Sequence, residues 1–221
     1  YQGRYKEKEE FEQIIEYYTD TEEVQKAFRV LQYAFSLHPD AHHLMIKKAQ
    51  LHLKIKQPQE ALEALQVVEN IESSNAEVYL TKGHAYLLID HKQEAEQLYD
   101  KALFFVDNEE ETLDILENIA QTLQFTDLYS KAVKYLLQAH KIDPMNLMVL
   151  YDLAYCYDRQ GNPDKSILYY NRYLDIEPYA EHVWFALGKL YARTQQTENA
   201  IEAYEMALAI HPEYTDALFD L

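Results

Sequence analysis

The chain repeats itself every thirty-four residues, and that period limits its fold more than any single residue does. From Glu181 to Tyr214 it carries Trp184, Leu187, Gly188 and Tyr191, then Ala200, Tyr204 and Ala207, then Pro212. One period earlier the same kinds of residue stand at Leu150, Leu153, Ala154 and Tyr157, then Ser166 and Tyr170, then Pro178. A unit of this length cannot bury an apolar face alone, so neighbouring units must stack to form a continuous core. Six units align, at 8–41, 42–75, 76–109, 113–146, 147–180 and 181–214, after a lead-in at 1–7 and with one register break, Glu110 to Thr112. Thr215 to Leu221 read as the start of a further or capping helix, with Leu218 and Leu221 on core positions. A free edge there is expected to be apolar, which implies a longer natural chain and favours a dimer of the fragment.

Helix geometry fixes the phase. The fourth, seventh, eighth and eleventh residues of a unit share one stripe at 3.6 residues per turn. They are Phe11, Ile14, Ile15 and Tyr18 in the first unit, Tyr79, Lys82, Gly83 and Tyr86 in the third, and Leu116, Ile119, Ala120 and Leu123 in the fourth. Small residues at the eighth position (Ala49, Gly83, Ala120, Ala154, Gly188) let a second helix approach closely, and Ala27, Ala61, Ala95, Ala132 and Ala200 match them there. Asn162-Pro163 places a cap before a first-turn proline, and Pro58 sits at the corresponding turn. Pro39, Pro144, Pro178 and Pro212 close their units. Lys48, His52 and Lys82 at core positions predict looser packing in the second and third units, and Tyr173 predicts a shifted helix or a filled gap against the sixth.

Composition removes several function classes. The formal charge of −18 repels phosphate backbones and argues against nucleic-acid binding. That charge is uneven: 8–41 is acidic, 42–75 is balanced, and 76–112 is acidic again, with Asp107, Glu109, Glu110 and Glu111 expected in a solvated loop. No apolar run is long enough to span a membrane. Cys156 is the single cysteine, so no disulfide framework exists, and its place beside Tyr157 predicts a buried, inert thiol. His38, His42 and His43 are close in sequence, but Pro39 breaks the helix between them and no metal motif is present; no metal or other cofactor is expected. His52 is expected to be a hydrogen-bonded core residue. With no phosphate loop and no nucleophile elbow, no catalytic residue is assigned.

The in-phase residues quoted above resemble the tetratricopeptide repeat family across nearly the whole chain. The resemblance implies an all-α fold, an α-solenoid of stacked helix-turn-helix repeats wound as a right-handed superhelix. It implies a non-enzymatic scaffold that binds a peptide or protein segment on the concave face formed by the first helices. The alternatives are a ligand-sensing or regulatory arm of a longer multidomain protein, and a self-assembly module. A cytoplasmic setting is expected, and low Gly with many Tyr, Lys and Ile points faintly to a bacterial source.

The concave-face positions opposite the core stripe give the candidate site. In the fourth unit they are Asn118, Gln121, Gln124 and Phe125; in the fifth, Met148, Tyr151, Asp152, Tyr155 and Arg159; in the sixth, His182, Phe185, Lys189 and Arg193. Aromatic surface beside forked arginine donors is the make-up of an interaction hot spot. It predicts capture of an extended segment with apolar side chains and a carboxylate. The plainer reading packs Tyr151 and Phe185 between neighbouring first helices. A secondary candidate set is Lys47 and Lys54, with His84; the plainer reading pairs these lysines with Glu12 and Glu16. The subgroup that clamps chaperone tails uses Lys and Asn, then Asn, then Lys and Arg on three successive first helices. Asn118 fits the middle place, but Leu80 and His84 precede it and Met148 and Asp152 follow it, so that clamp is rejected.

Overall fold

The computed structural model describes residues 2–213 and Ala217, with side chains from residue 10 onward. Among these residues every regular element is helical. The helices are α1 (Gln2–Asp20), α2 (Val24–Leu37), α3 (His43–Lys54), α4 (Pro58–Glu69), α5 (Ala76–Leu88), α6 (Lys92–Phe104), α7 (Glu109–Phe125), α8 (Tyr129–Ile142), α9 (Leu147–Arg159), α10 (Pro163–Ile176), α11 (Glu181–Arg193) and α12 (Thr197–Ile210). Consecutive helices pack as hairpins, and within each stretch α2 packs on α3, α4 on α5, α8 on α9 and α10 on α11. The chain divides into two compact units, one ending at Asn108 and one starting at Glu109.

All six hairpins turn by one device. Glu22, Lys56, Asp90, Asp127, Gly161 and Gln195 each take a left-handed backbone conformation, with φ between 57° and 71°. The next residue donates its backbone N–H to a carbonyl five residues back, as Gln57 to His52 at 2.8 Å and Asn162 to Tyr157 at 2.9 Å. This Schellman closure satisfies carbonyls that a helix end would otherwise orphan. Only Gly161 is a glycine, so the other five turns hold an L-residue where a Cβ is disfavoured. Pro58 and Pro163 open their helices, and Asn75, Asn146 and Asn162 cap theirs by accepting from the amides of Val78, Val149 and Lys165.

In the first unit, Ile15, Ala27, Leu31, Ala34 and Leu44 form one buried cluster, and Ala49, Ala61, Leu65, Val68 and Val78 form another. The exception on the core stripe is Ile14, 42% exposed. No described hairpin precedes α1 to cover that position. Lys82 shows what that position does elsewhere: its Nζ reaches Glu69 of α4 at 2.5 Å, with both side chains largely buried. The lysine thus brings its own counter-ion rather than leaving a void. His52 is partly buried, shares a hydrogen bond with Gln57 at 2.9 Å and meets the Phe28 ring edge-on.

In the second unit, Leu116, Ile119, Leu123, Leu136, Leu150 and Leu153 are buried to within 1%. Cys156 is buried as well, and burial lifts its thiol to about 12, which removes the thiolate at neutral pH. Tyr173 fills the gap against α11, its ring edge-on to His182 at 5.8 Å. One loop expectation fails: Glu109, Glu110 and Glu111 form the first turn of α7, not a loop. Three carboxylates there complement the unpaired N–H groups and the positive end of the helix dipole. Ala217 is buried with Ala200, Tyr204 and Ala207. Leu218 and Leu221, on which the apolar-edge expectation rests, lie outside the described residues. No helix among the described residues is long and apolar enough to cross a membrane.

Candidate functional site

The side chains proposed for partner binding along α7, α9 and α11 divide into those that pack and those that stay open. Tyr151 packs: its ring meets Tyr170 at 5.7 Å, Tyr173 at 6.4 Å and His182 at 5.8 Å. Phe185 packs on Tyr204 at 5.8 Å, with the Lys189 ammonium over its ring at 5.3 Å. The two arginines are engaged. Arg193 makes an ion pair with Asp158. Arg159 lies over the Tyr129 ring at 5.3 Å and its Nε donates to the Tyr129 hydroxyl at 3.3 Å. Tyr129, at the start of α8, was not a sequence candidate; it belongs to the second-helix set, which that reading left aside. Tyr129 also meets Tyr155 edge-on at 6.0 Å.

Between α7 and α9 a cleft of about 410 Å³ stays open, lined by Gln121, Gln124, Phe125, Met148, Asp152 and Tyr155. Phe125 stands at its lip, 90% exposed, and Met148 is 52% exposed. Gln121 spans to Met148, its Nε2 3.7 Å from the thioether sulfur. Asn118 is exposed on α7 outside this lining. Asp152 is the one charged side chain of the cleft, partly buried, and burial lifts its carboxyl above the usual range. Glu117 behaves alike: burial raises it, the hydrogen bond from Asn146 at 2.8 Å opposes, and the charges of Asp114, Asp152 and Asp143 raise it further.

The secondary candidates in the first unit are already occupied. Lys47 reaches Glu16 at 2.8 Å. Burial pulls its ammonium down, but the hydrogen bond to Glu16 and the charges of Glu77, Glu16 and Glu12 outweigh that and hold it above the usual value. Lys54 donates to the Thr19 carbonyl, and His43 sits 3.7 Å from Glu12. His84 packs on Tyr99 at 5.6 Å, and burial depresses it to about 4, so it is neutral at pH 7.

Stacked hairpins that share one turn define a repeat protein. Tetratricopeptide repeat models match residues 76–103, 118–181 and 182–214. The chain belongs to the tetratricopeptide repeat family. A peroxisomal targeting signal receptor from Kluyveromyces lactis is 33% identical over 91 residues, 40% of this chain and 16% of that protein's length. Among solved structures, PilW, a widely conserved type IV pilus biogenesis factor, superposes with a TM-score of 0.70 at 16% identity, covering 96% of this chain and 97% of its own. YrrB, a TPR protein with an unusual peptide-binding site, gives 0.59 at 20% identity, covering 86% of this chain and 96% of its own. At these identities the structural likenesses establish the fold: an all-α repeat solenoid. Such repeats make protein-protein interaction scaffolds and are generally without enzymatic activity.

Proposed function

We propose that this chain is a non-enzymatic receptor for an extended segment of another protein, held on the first-helix face of the second unit. The observation that carries the reading is the cleft between α7 and α9. An aromatic ring 90% exposed at the lip of a 410 Å³ cleft serves no packing role in its own hairpin. Large rings beside a shielded polar group are the anchors of protein interfaces. The related targeting signal receptor supports a receptor reading, over the shared 91 residues. Tyr151 and Phe185 act in this reading as walls that set the spacing of the first helices, and Arg159 and Arg193 as clamps within the scaffold. The proposed setting is the cytoplasm, where a lone reduced cysteine is ordinary.

A photo-crosslinking residue at Phe125 should join the partner in cells, whereas the same residue at Tyr179, 74% exposed in the loop after α10, should not. Replacing both Phe125 and Tyr155 by alanine should abolish capture by a crosslinker at Met148 with helicity unchanged. Equal crosslinking from Phe125 and Tyr179, or capture that survives the double replacement, would sink the reading.

A further inference from the structure

Resting on that reading, we propose that the α7–α9 cleft takes a basic side chain, a lysine or arginine of the bound segment, with Asp152 as its counter-ion and Phe125 and Tyr155 as its walls. The lining holds no basic residue: two glutamines, a methionine, two aromatics and one carboxylate. Asp152 makes no ion pair among the described residues, whereas Asp158, on the same helix, is paired with Arg193. Arg159, two turns further along α9, lies on Tyr129. Gln124 offers the Asp152 carboxylate a hydrogen bond but no charge; half withdrawn from water without a cation it keeps a desolvation cost, which an incoming ammonium or guanidinium lowers. Aromatic faces add to that attraction, because their quadrupole draws a cation over the ring. The thioether of Met148 adapts to the aliphatic stem. Glu117 is raised partly by the charge of Asp152, so the field around the cleft is negative beyond its own lining.

This choice reverses the charge that the arginines alone had suggested. Arg193 is paired with Asp158 and Arg159 lies on Tyr129, so both arginines are already engaged within the scaffold. The charge that has no partner in this unit's cleft is negative, and the whole chain, at −18, attracts basic segments at long range.

The test uses the full chain and two blocked peptides, identical except that one carries lysine between two leucines and the other norleucine, its uncharged counterpart. The lysine peptide should bind about tenfold tighter, the size of one charge-assisted contact. That margin should shrink in high salt. Asp152→Asn should erase the margin while leaving norleucine-peptide affinity unchanged, and Phe125→Ala should weaken both. If the two peptides bind equally and Asp152→Asn changes neither, the cation assignment is overturned while the cleft survives as a docking site. If a glutamate-bearing version binds best, the assignment is likewise overturned. If none of the peptides shifts the amide resonances of α7 and α9, both the assignment and the docking reading of this cleft fall.

Discussion

The two units treat the same pair of positions in opposite ways. In the first, Glu16 of α1 stands opposite Lys47 of α3, thirty-one residues on, and the two close at 2.8 Å. In the second, the equivalent positions hold Gln121 of α7 and Asp152 of α9, which cannot form an ion pair, and a cleft opens between those helices. The rest of each face follows suit. The first unit also ties Gln50 to Glu77 at 2.9 Å and Lys54 to the Thr19 carbonyl. The second leaves Phe125 and Met148 in solvent. In a stacked repeat, then, a polar side chain is free or occupied according to what the next first helix sets opposite it. The composition of its own repeat does not decide the matter.

The comparison holds only if the units differ in their exposed faces and not in their packing, and the largest effects test that. A Cβ added at Gly188 would lie 2.6 Å from the Tyr204 ring, and one at Gly83 would collide with Tyr99. Gly188→Val and Gly83→Val should each cost about 3 kcal/mol, the upper range for overpacking. Hydrogen exchange should localise the loss to α11 and α12 for the first and to α5 and α6 for the second. A large loss in one unit with none in the other would break the comparison, because packing would then differ too.

The next effect separates the units by acid. His84 belongs to the first unit, and burial lowers it from 6.5 to about 4. A histidine depressed in the folded state binds its proton more readily when unfolded. Its contribution is therefore complete above about pH 6.5 and is lost as pH falls toward 4. Exchange protection in α5 and α6 should fall across that window by on the order of 2–3 kcal/mol. His84→Phe should flatten the dependence. Unchanged protection of α5 and α6 between pH 7 and 4 would contradict the burial of this imidazole.

The repeat itself was legible because it rests on spacing. The six left-handed residues recur at one place in every unit, so the hairpins stay in phase although only Gly161 carries the expected residue type. The close approach was legible too, but its partner was not. Gly83 and Gly188 each receive a tyrosine ring, whereas Ala49 and Ala120 stand in units where leucine, Leu65 or Leu136, occupies the same second-helix position. That exchange of volume crosses two helices, and a stripe read along one helix does not contain it. Lys82 looked like a defect for the same reason: its counter-ion, Glu69, lies in the preceding unit. At the site, the sequence put Phe125, Tyr155 and Asp152 on one face, and the three line one cleft. It could not see that Tyr129, from a second helix, would take up Arg159. The acidic run before Thr112 misled in the opposite direction, since carboxylates that suit a solvated loop suit a helix N-terminus equally well.

The smallest effects on stability give the sharpest test of the comparison, because they exchange the two faces. Lys47→Ala removes an ion pair whose lysine side chain is 21% exposed and whose glutamate is 54% exposed. Exposed pairs of this kind contribute about 0.2–1 kcal/mol, so denaturation should register less than about 1 kcal/mol, less again at high salt. It should leave the lysine-bearing peptide bound as before, because that peptide sits in the other unit. Gln121→Lys does the reverse. It places an ammonium on α7 opposite Asp152 at the spacing that Glu16 and Lys47 already use. The new pair should change stability by no more than about 1 kcal/mol, yet abolish the preference for lysine over norleucine by supplying the missing charge from within. If Gln121→Lys left that preference intact, the difference between the faces would have to arise from something other than an unanswered carboxylate.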